Sequence, residues 1–165
     1  MRLFREQVLL CCVLICICTV TTNSFGQTPA ANAQQSVNAN VEKWMADSGL
    51  EYRRTGETTW VANGKGRVIE EFPILVATGS TFIVVGALVA KKDGFDRTPD
   101  FMFKLLKLNY STEFAKTGLD DDEDLFVRIE MRSDLVDSTH FKNMIADVTK
   151  TADEAYSVVK PHLKK

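Results

Sequence analysis

The sequence predicts a small α+β domain with the element order α-β-β-β-β-α-β-β-α. Three observations lead to this fold class. Apolar residues recur at helical spacing in three separate segments, near the start, the middle and the end of the polar part of the chain. Between these segments lie runs rich in Ile, Val, Thr and Phe, which favour strands. Gly, Asn and Asp residues separate neighbouring runs, as turns between strands require.

The N-terminus is typical of a secretory signal peptide. Two arginines precede an uncharged apolar run over residues 8–20, which is too short to span a bilayer comfortably. Ser24 and Gly26 place small residues at positions −3 and −1 of one possible cut, and Ala31 with Ala33 offers a second. We therefore expect the mature protein in the periplasm of a bacterium or released from the cell.

Composition excludes several classes of chemistry. All four cysteines belong to the signal peptide, so we expect the mature chain to have no disulfide, no catalytic thiol and no sulfur ligand for a metal. The formal net charge is −2 for the whole chain and becomes −3 once the signal peptide is removed. A weakly acidic chain has no electrostatic attraction for nucleic acid, so no nucleic-acid partner is expected, and no cofactor is implied.

The chain divides into three parts. Residues 1–26 form the signal peptide. Residues 27–36, with the sequence QTPAANAQQS, are small and polar and are predicted to be a disordered linker. Residues 37–165 are long enough for a single domain with its own hydrophobic core.

The first elements of the domain are a helix and a short hairpin. Val37, Val41, Trp44 and Met45 fall at helical spacing, which predicts a helix over about 37–48. The β-forming residues that follow, around 52 and 58–61, predict a hairpin that ends at an Asn-Gly turn.

An uncharged run over residues 74–90 forms the centre of the domain. Its β-branched halves and the Gly79-Ser80 turn favour two strands, and a membrane span over the same residues is the alternative. The second half, Phe82–Ala90, is apolar at every position, so both of its faces need cover. We expect the helices on one face and another element or a second subunit on the other.

The second half of the domain has clear helix starts. Thr98, Pro99 and Asp100 supply an N-cap, an N1 proline and an acid for a helix. We expect a broad apolar face on this helix, formed by Phe101, Met102, Leu105, Leu106 and Leu108. Two strands are predicted at about 113–118 and 125–131, and a last helix begins at Asp137 or Ser138 and stops at Pro161.

Five acidic residues, 120–124, lie between the last two strands. A helix-loop-helix calcium loop starting at Asp120 would need glycine at its sixth position and glutamate at its twelfth, which here are Leu125 and Met131. The run is therefore predicted to be a hydrated turn without a metal. The alternative is a small metal- or ligand-binding protein or hydrolase that uses residues 120–124.

Three stretches carry a resemblance to a known family: FKLLKLN at 103–109, EFAKTGLDDDEDLFVRIEM at 113–131 and ADEAYSVV at 152–159. With the element order, they resemble the YbjN-type bacterial domain, which is similar in fold to the class I chaperones of type III secretion. The resemblance spans about residues 41–160. It implies a strongly twisted antiparallel sheet flanked by helices, often in a dimer, and it implies no catalytic residues. The export signal departs from those chaperones, which act in the cytosol.

No nucleophile-base set or metal-ligand spacing is found in the sequence, so we expect a protein that is not an enzyme. The apolar strand predicted over Phe82–Ala90 suggests instead a binding or chaperone-like module, which holds an extended segment of a partner protein or a second copy of itself. The residues expected to line the contact face are Trp60, Phe82, Val84 and Phe126. The competing interpretation is that they complete the core or a homodimer interface.

Overall fold

The computed structural model describes residues 29–164 of the chain. Its helices are α1 (Pro29–Ala46), α2 (Pro99–Ser111) and α3 (Ser138–Val159). Its strands are β1 (Tyr52–Arg54), β2 (Thr59–Gly64), β3 (Phe72–Thr78), β4 (Phe82–Ala90), β5 (Lys116–Leu119) and β6 (Leu125–Arg132). The predicted fold class and the predicted element order are both confirmed. The predicted signal peptide lies outside the described residues.

The six strands form one antiparallel sheet in the order β1-β2-β3-β4-β6-β5. The first four strands follow one another as hairpins, whereas β4 pairs with β6 across the inserted helix α2 and strand β5. Val85 at the centre of β4 lies opposite Val76 on one side and Ile129 on the other. The most apolar strand therefore has a strand neighbour on both sides.

The core lies between one face of this sheet and the helices. The inward positions of β4 alternate along the strand, as a period of two requires, and Ile83 and Val85 are fully buried there. Helix α3 packs across β4 and β6, and its own residues Phe141 and Val148 are fully buried at this contact. The predicted apolar stripe of α3 is thus the helix side of the core.

Both predicted helix starts are confirmed by their caps. The Thr98 hydroxyl accepts a hydrogen bond from the N–H of Phe101 at 3.2 Å, and Pro99 opens α2. Asp137 caps α3, because its carboxylate accepts hydrogen bonds from the N–H groups of Thr139 and His140, each at 2.8 Å. These caps fix where the two helices begin relative to the strands before them.

Helix α1 begins at Pro29 rather than at residue 37. The described part of the segment predicted as a disordered linker, residues 29–36, is therefore helical. Alanine and glutamine favour helix, and proline is well tolerated in a first turn. A tertiary contact adds to this preference, since the Gln34 amide donates to the Thr78 hydroxyl at 3.1 Å.

The alternative of a membrane span over residues 74–90 is wrong. These residues form β3, the turn after it and β4, which pair with each other as a hairpin. Among residues 29–164 there is no helix with the length and apolar character that crossing a membrane requires.

Strand β5 lies at one edge of the sheet, and a side chain of α2 satisfies part of that edge. The Asn109 amide oxygen accepts from the Thr117 N–H at 2.7 Å, and the amide nitrogen donates to the Thr117 carbonyl at 3.0 Å. Asn109 thereby makes the two hydrogen bonds that a neighbouring strand would make. Asn109, the last residue of the FKLLKLN stretch, has this structural role.

We predict that Asn109→Ala lowers the free energy of unfolding by about 1–3 kcal/mol, because it leaves the backbone groups of the buried residue Thr117 without partners. Urea denaturation followed by circular dichroism measures the change. Asn143→Ala is the matched control, since Asn143 is an exposed helical asparagine of α3. Equal effects of the two substitutions would contradict the role given to Asn109.

Candidate protein-binding face

The sheet turns its second face away from the helices, and we call this surface the open face. Strand register places its apolar residues together: Ala77 lies opposite Val84, and Leu88 lies opposite Phe126. The apolar members are Val61, Leu75, Ala77, Phe82, Val84, Leu88 and Phe126. Each is exposed or half-buried, and Leu75 and Phe82 are the most open at 46% and 42% exposure. A sheet face that meets water is usually polar, so this face is unusually apolar.

Charged residues of β6 border the open face on one side. The Arg128 guanidinium lies over the ring of Phe126 at 5.5 Å and within 3.7 Å of the Glu130 carboxylate. Farther along the strand, the Nε and Nη2 atoms of Arg132 each donate a hydrogen bond of 2.9 Å to a carboxylate oxygen of Asp134. The surface is thus an apolar centre with a charged border, which is the usual anatomy of a protein-binding surface.

Three of the four residues expected to line a contact face, Phe82, Val84 and Phe126, lie on the open face. Trp60 does not. Its side chain is fully buried on the helix side, where the indole N–H donates to the Glu42 carboxylate of α1. The outward residue of β2 at this point is Val61, one position along, because successive side chains alternate between faces.

A second exposed apolar surface lies on α2 and was not identified from the sequence. Leu106, expected on the apolar face with Phe101 and Leu105, is instead 66% exposed, while those two residues are buried. Phe103 and Tyr110 are also exposed. Phe103 and Tyr110 are seven residues apart with Leu106 between them, a spacing that places all three on one side of a helix. This spacing is the feature of the sequence that predicts the second apolar surface.

The acidic run between β5 and β6 is a turn, as predicted. The Asp120 N–H donates to the Asp124 carbonyl at 3.1 Å, and Glu123 takes a left-handed backbone conformation with φ of 65°. Within residues 29–164, no group of three or more His, Cys, Asp or Glu side chains is arranged to hold a metal ion. The described residues therefore provide no geometric support for the metal-dependent alternative.

One acid of this run, Asp124, is buried and fixes the turn to the end of β4. The Lys91 ammonium donates to its carboxylate at 2.5 Å, and the Lys92 N–H donates at 2.9 Å. The hydrogen bond from Lys91, with that from the Lys92 backbone, holds the pKa of Asp124 below its ordinary value. Asp124 is therefore a structural anchor between two strands.

Comparison with known proteins identifies the fold. No family model matches the chain, and no curated protein matches its sequence. Three solved structures share the fold: a chain of the ExoU–SpcU complex from the type III secretion system of Pseudomonas aeruginosa, the Yersinia pestis type III secretion chaperone SycH in complex with a fragment of YscM2, and YbjN from Escherichia coli.

All three similarities are in structure, at low sequence identity. The TM-scores are 0.54, 0.50 and 0.52, and the sequence identities are 14%, 14% and 16%. The matches cover 73%, 74% and 75% of this chain and 98%, 98% and 92% of the other chains. The chain thus has the α+β fold of secretion chaperones, and its fold is like that of YbjN, as the sequence resemblance implies.

We predict that Asp124→Asn makes the free energy of unfolding less sensitive to a fall in pH. Since the pKa of Asp124 is lower in the folded state than in the unfolded state, its stabilising effect is complete above the unfolded pKa of about 4 and is lost as pH falls below it. The wild-type protein should therefore lose more unfolding free energy between pH 5 and pH 3 than the variant does. Urea titrations at each pH measure this.

The control is Asp121→Asn, which changes an exposed carboxylate in the same turn. Its acid dependence should match that of the wild-type protein. If Asp124→Asn were also indistinguishable from wild type below pH 5, the anchor role of Asp124 would be wrong.

Proposed function

We propose that this protein is an exported, non-enzymatic binding module whose open face holds an extended, apolar segment of a partner protein. The observation that carries the proposal is the uncovered apolar surface at the centre of the sheet, where Leu75, Phe82 and Val84 meet solvent. Contiguous apolar surface of this kind costs solubility unless a partner covers it.

The shape of the open face suits an extended segment better than a globular ligand. The outward residues of β3, β4 and β6 lie side by side on paired strands, so their side chains form a broad, shallow surface. A segment lying across it can bury alternate apolar side chains against Val84 and Leu75. Its charged residues can meet Arg128 and Glu130 at the border.

Known structures of this fold support the choice of a protein partner. ExoU–SpcU is a heterodimeric complex, and SycH is a secretion chaperone bound to a fragment of another protein. The fold can therefore bind polypeptide, and the same kind of partner suits the open face of this chain.

The positions of the two histidines support a non-enzymatic role. His140 lies at the start of α3 and contacts the capping carboxylate of Asp137 at 2.9 Å. His162 packs against the ring of Phe101 with 5.3 Å between ring centroids. Both contacts are accounted for by helix capping and packing.

We predict that Val84→Glu abolishes capture of the partner from an extract of the native cell envelope, because it places a charge in the apolar centre of the open face. Capture by the immobilised wild-type and variant proteins is compared by quantitative mass spectrometry. Circular dichroism should show that the variant is still folded, since Val84 is only half-buried.

Two matched variants make this experiment decisive. Val68→Glu introduces the same charge at an exposed valine outside the open face and should leave capture unchanged. Val85→Glu, one position along β4, replaces a fully buried residue and should prevent folding. Equal capture by the wild-type protein and by folded Val84→Glu would contradict the proposed site.

Export is tested separately. We expect the N-terminal sequence of the protein recovered from its native cells to begin at Gln27, since Ser24 and Gly26 fit the cleavage site. Fractionation should find the protein in the periplasm or the medium. Recovery of the uncut chain in the cytosol would overturn the exported part of the proposal.

A further inference from the structure

Helix α2 presents a continuous group of exposed side chains, and we call Phe103, Leu106, Lys107 and Tyr110 the α2 face. Phe103 is 56% exposed, Leu106 66% and Tyr110 94%. At 3.6 residues per turn, the other three side chains project within about 60° of Phe103 around the helix axis. Single exposed apolar residues are ordinary, but three on one side of a helix form a contiguous patch that indicates a binding surface.

The α2 face points directly out of the domain. Phe101 and Leu105 are buried in the core. They project about 160–200° away from Phe103 around the helix axis, which is the opposite side of α2. The exposed apolar side chains therefore form a convex ridge about 10 Å long and not a groove.

The charge of this part of the chain is positive, although the whole chain is acidic. Residues 101–112 contain Lys104 and Lys107 and no acidic residue, whereas the net charge of the chain is −2. Asp100, just before this stretch, is paired with the Lys104 ammonium at 2.6 Å. Glu113 follows the end of the helix. The α2 face itself therefore carries a lysine and no carboxylate.

Lys116 adds a positive charge at the C-terminal end of α2. Its ammonium donates to the carbonyl oxygens of Asn109 and Thr112 at 3.0 and 2.7 Å. The aligned peptide dipoles give a helix C-terminus a partial negative charge, which a cation at this position offsets. An anionic surface can therefore approach this end of α2 without repulsion from the helix dipole.

We propose that the α2 face binds the surface of a bilayer that contains anionic phospholipid. Phe103, Leu106 and Tyr110 enter the headgroup region, and the lysines lie beside the lipid phosphates. Apolar and aromatic side chains combined with lysines are the composition of helices that lie in a membrane interface. The Lys107 ammonium lies 5.1 Å from the centre of the Phe103 ring, so its stem covers the ring while its charge stays near the headgroups.

Shape and charge favour a bilayer over a protein partner. A protein partner would need a groove that matches the ridge, whereas a lipid headgroup layer adapts to protruding side chains. Lysine is depleted at the centre of protein interfaces, yet Lys107 lies within the α2 face. Against anionic lipid the same lysine strengthens binding.

The α2 face and the open face are separate surfaces. Helix α2 lies in the helix layer, and the open face is the side of the sheet away from the helices. A domain bound to a bilayer through α2 therefore keeps its open face free for a partner. The inference does not depend on the function proposed for the open face.

Cosedimentation with lipid vesicles tests the proposal. Residues 27–165 are used, because the apolar run 8–20 would bind lipid by itself and the buried core lies within residues 29–164. We expect this protein to sediment with vesicles of phosphatidylglycerol and phosphatidylcholine in equal parts and to remain in solution with phosphatidylcholine alone. Added salt should weaken the binding, because it screens the attraction between lysines and anionic lipid.

Two substitutions on the α2 face should each lower the partition coefficient about tenfold or more. Leu106→Glu places a negative charge on the apolar ridge, and Lys107→Glu replaces an attraction for lipid phosphate with a repulsion. The matched controls are Leu135→Glu, at a leucine that is 62% exposed, and Lys142→Glu, at an exposed lysine of α3. Both controls should bind like the wild-type protein, and circular dichroism should show all four variants folded.

Insertion is measured separately with Tyr110→Trp. An indole at this exposed position should shift its fluorescence emission to shorter wavelength when anionic vesicles are added, because it leaves water for the headgroup region. The wild-type protein, which contains Trp44 and Trp60, supplies the background signal. An emission spectrum that anionic vesicles leave unchanged would exclude insertion of the α2 face.

The proposal is overturned if the wild-type protein does not bind anionic vesicles, or if Leu106→Glu binds them as tightly as Leu135→Glu does. Loss of a protein complex in Leu106→Glu, with no lipid binding by the wild type, would make the α2 face a protein contact instead. Val84→Glu should still bind vesicles, and Leu106→Glu should still capture the partner of the open face. Failure of one proposal is thus distinguishable from failure of the other.

Discussion

A sheet has two faces, and the helices of this chain cover one of them. The need to cover apolar side chains is greatest at β4, because apolar residues occupy both of its faces. Each fully buried valine or isoleucine contributes about 1.5–3 kcal/mol to folding. The inward half of β4 meets α3 and gives the domain its core. The outward half has no such cover among the described residues, and this imbalance connects the stability of the domain with its proposed function.

Polar side chains fix the loops and edges that the core does not reach. Asp153 of α3 is 4% exposed and accepts hydrogen bonds from the N–H groups of Val68 and Ile69 at 2.7 and 3.1 Å. Burial alone would raise the pKa of Asp153, but these N–H groups hold it below its ordinary value. Asp124 and Asn109 act similarly on the acidic turn and on β5. In each case a side chain replaces a backbone partner that the topology does not supply.

Local patterns made most of the fold predictable. The caps at Thr98 and Asp137 and the alternation along β6 are determined by neighbouring residues, so the sequence alone reveals them. The sequence does not predict the start of α1, because residues 29–36 have no apolar stripe and their helix gains support from a distant contact between Gln34 and Thr78. Periodicity identifies apolar faces, but it does not say which face meets the core. For the same reason the environments that the sequence predicts for Trp60 and Leu106 differ from those in the structure.

The side-chain amide that satisfies the edge of β5 also bears on protein production. Asn109-Tyr110-Ser111 is an acceptor sequence for N-linked glycans. The glycan attaches to the amide nitrogen that donates to Thr117 in the folded protein. Glycosylation during secretion from a eukaryotic host would therefore compete with the hydrogen bond from Asn109 to the backbone of β5. Bacterial expression avoids that competition.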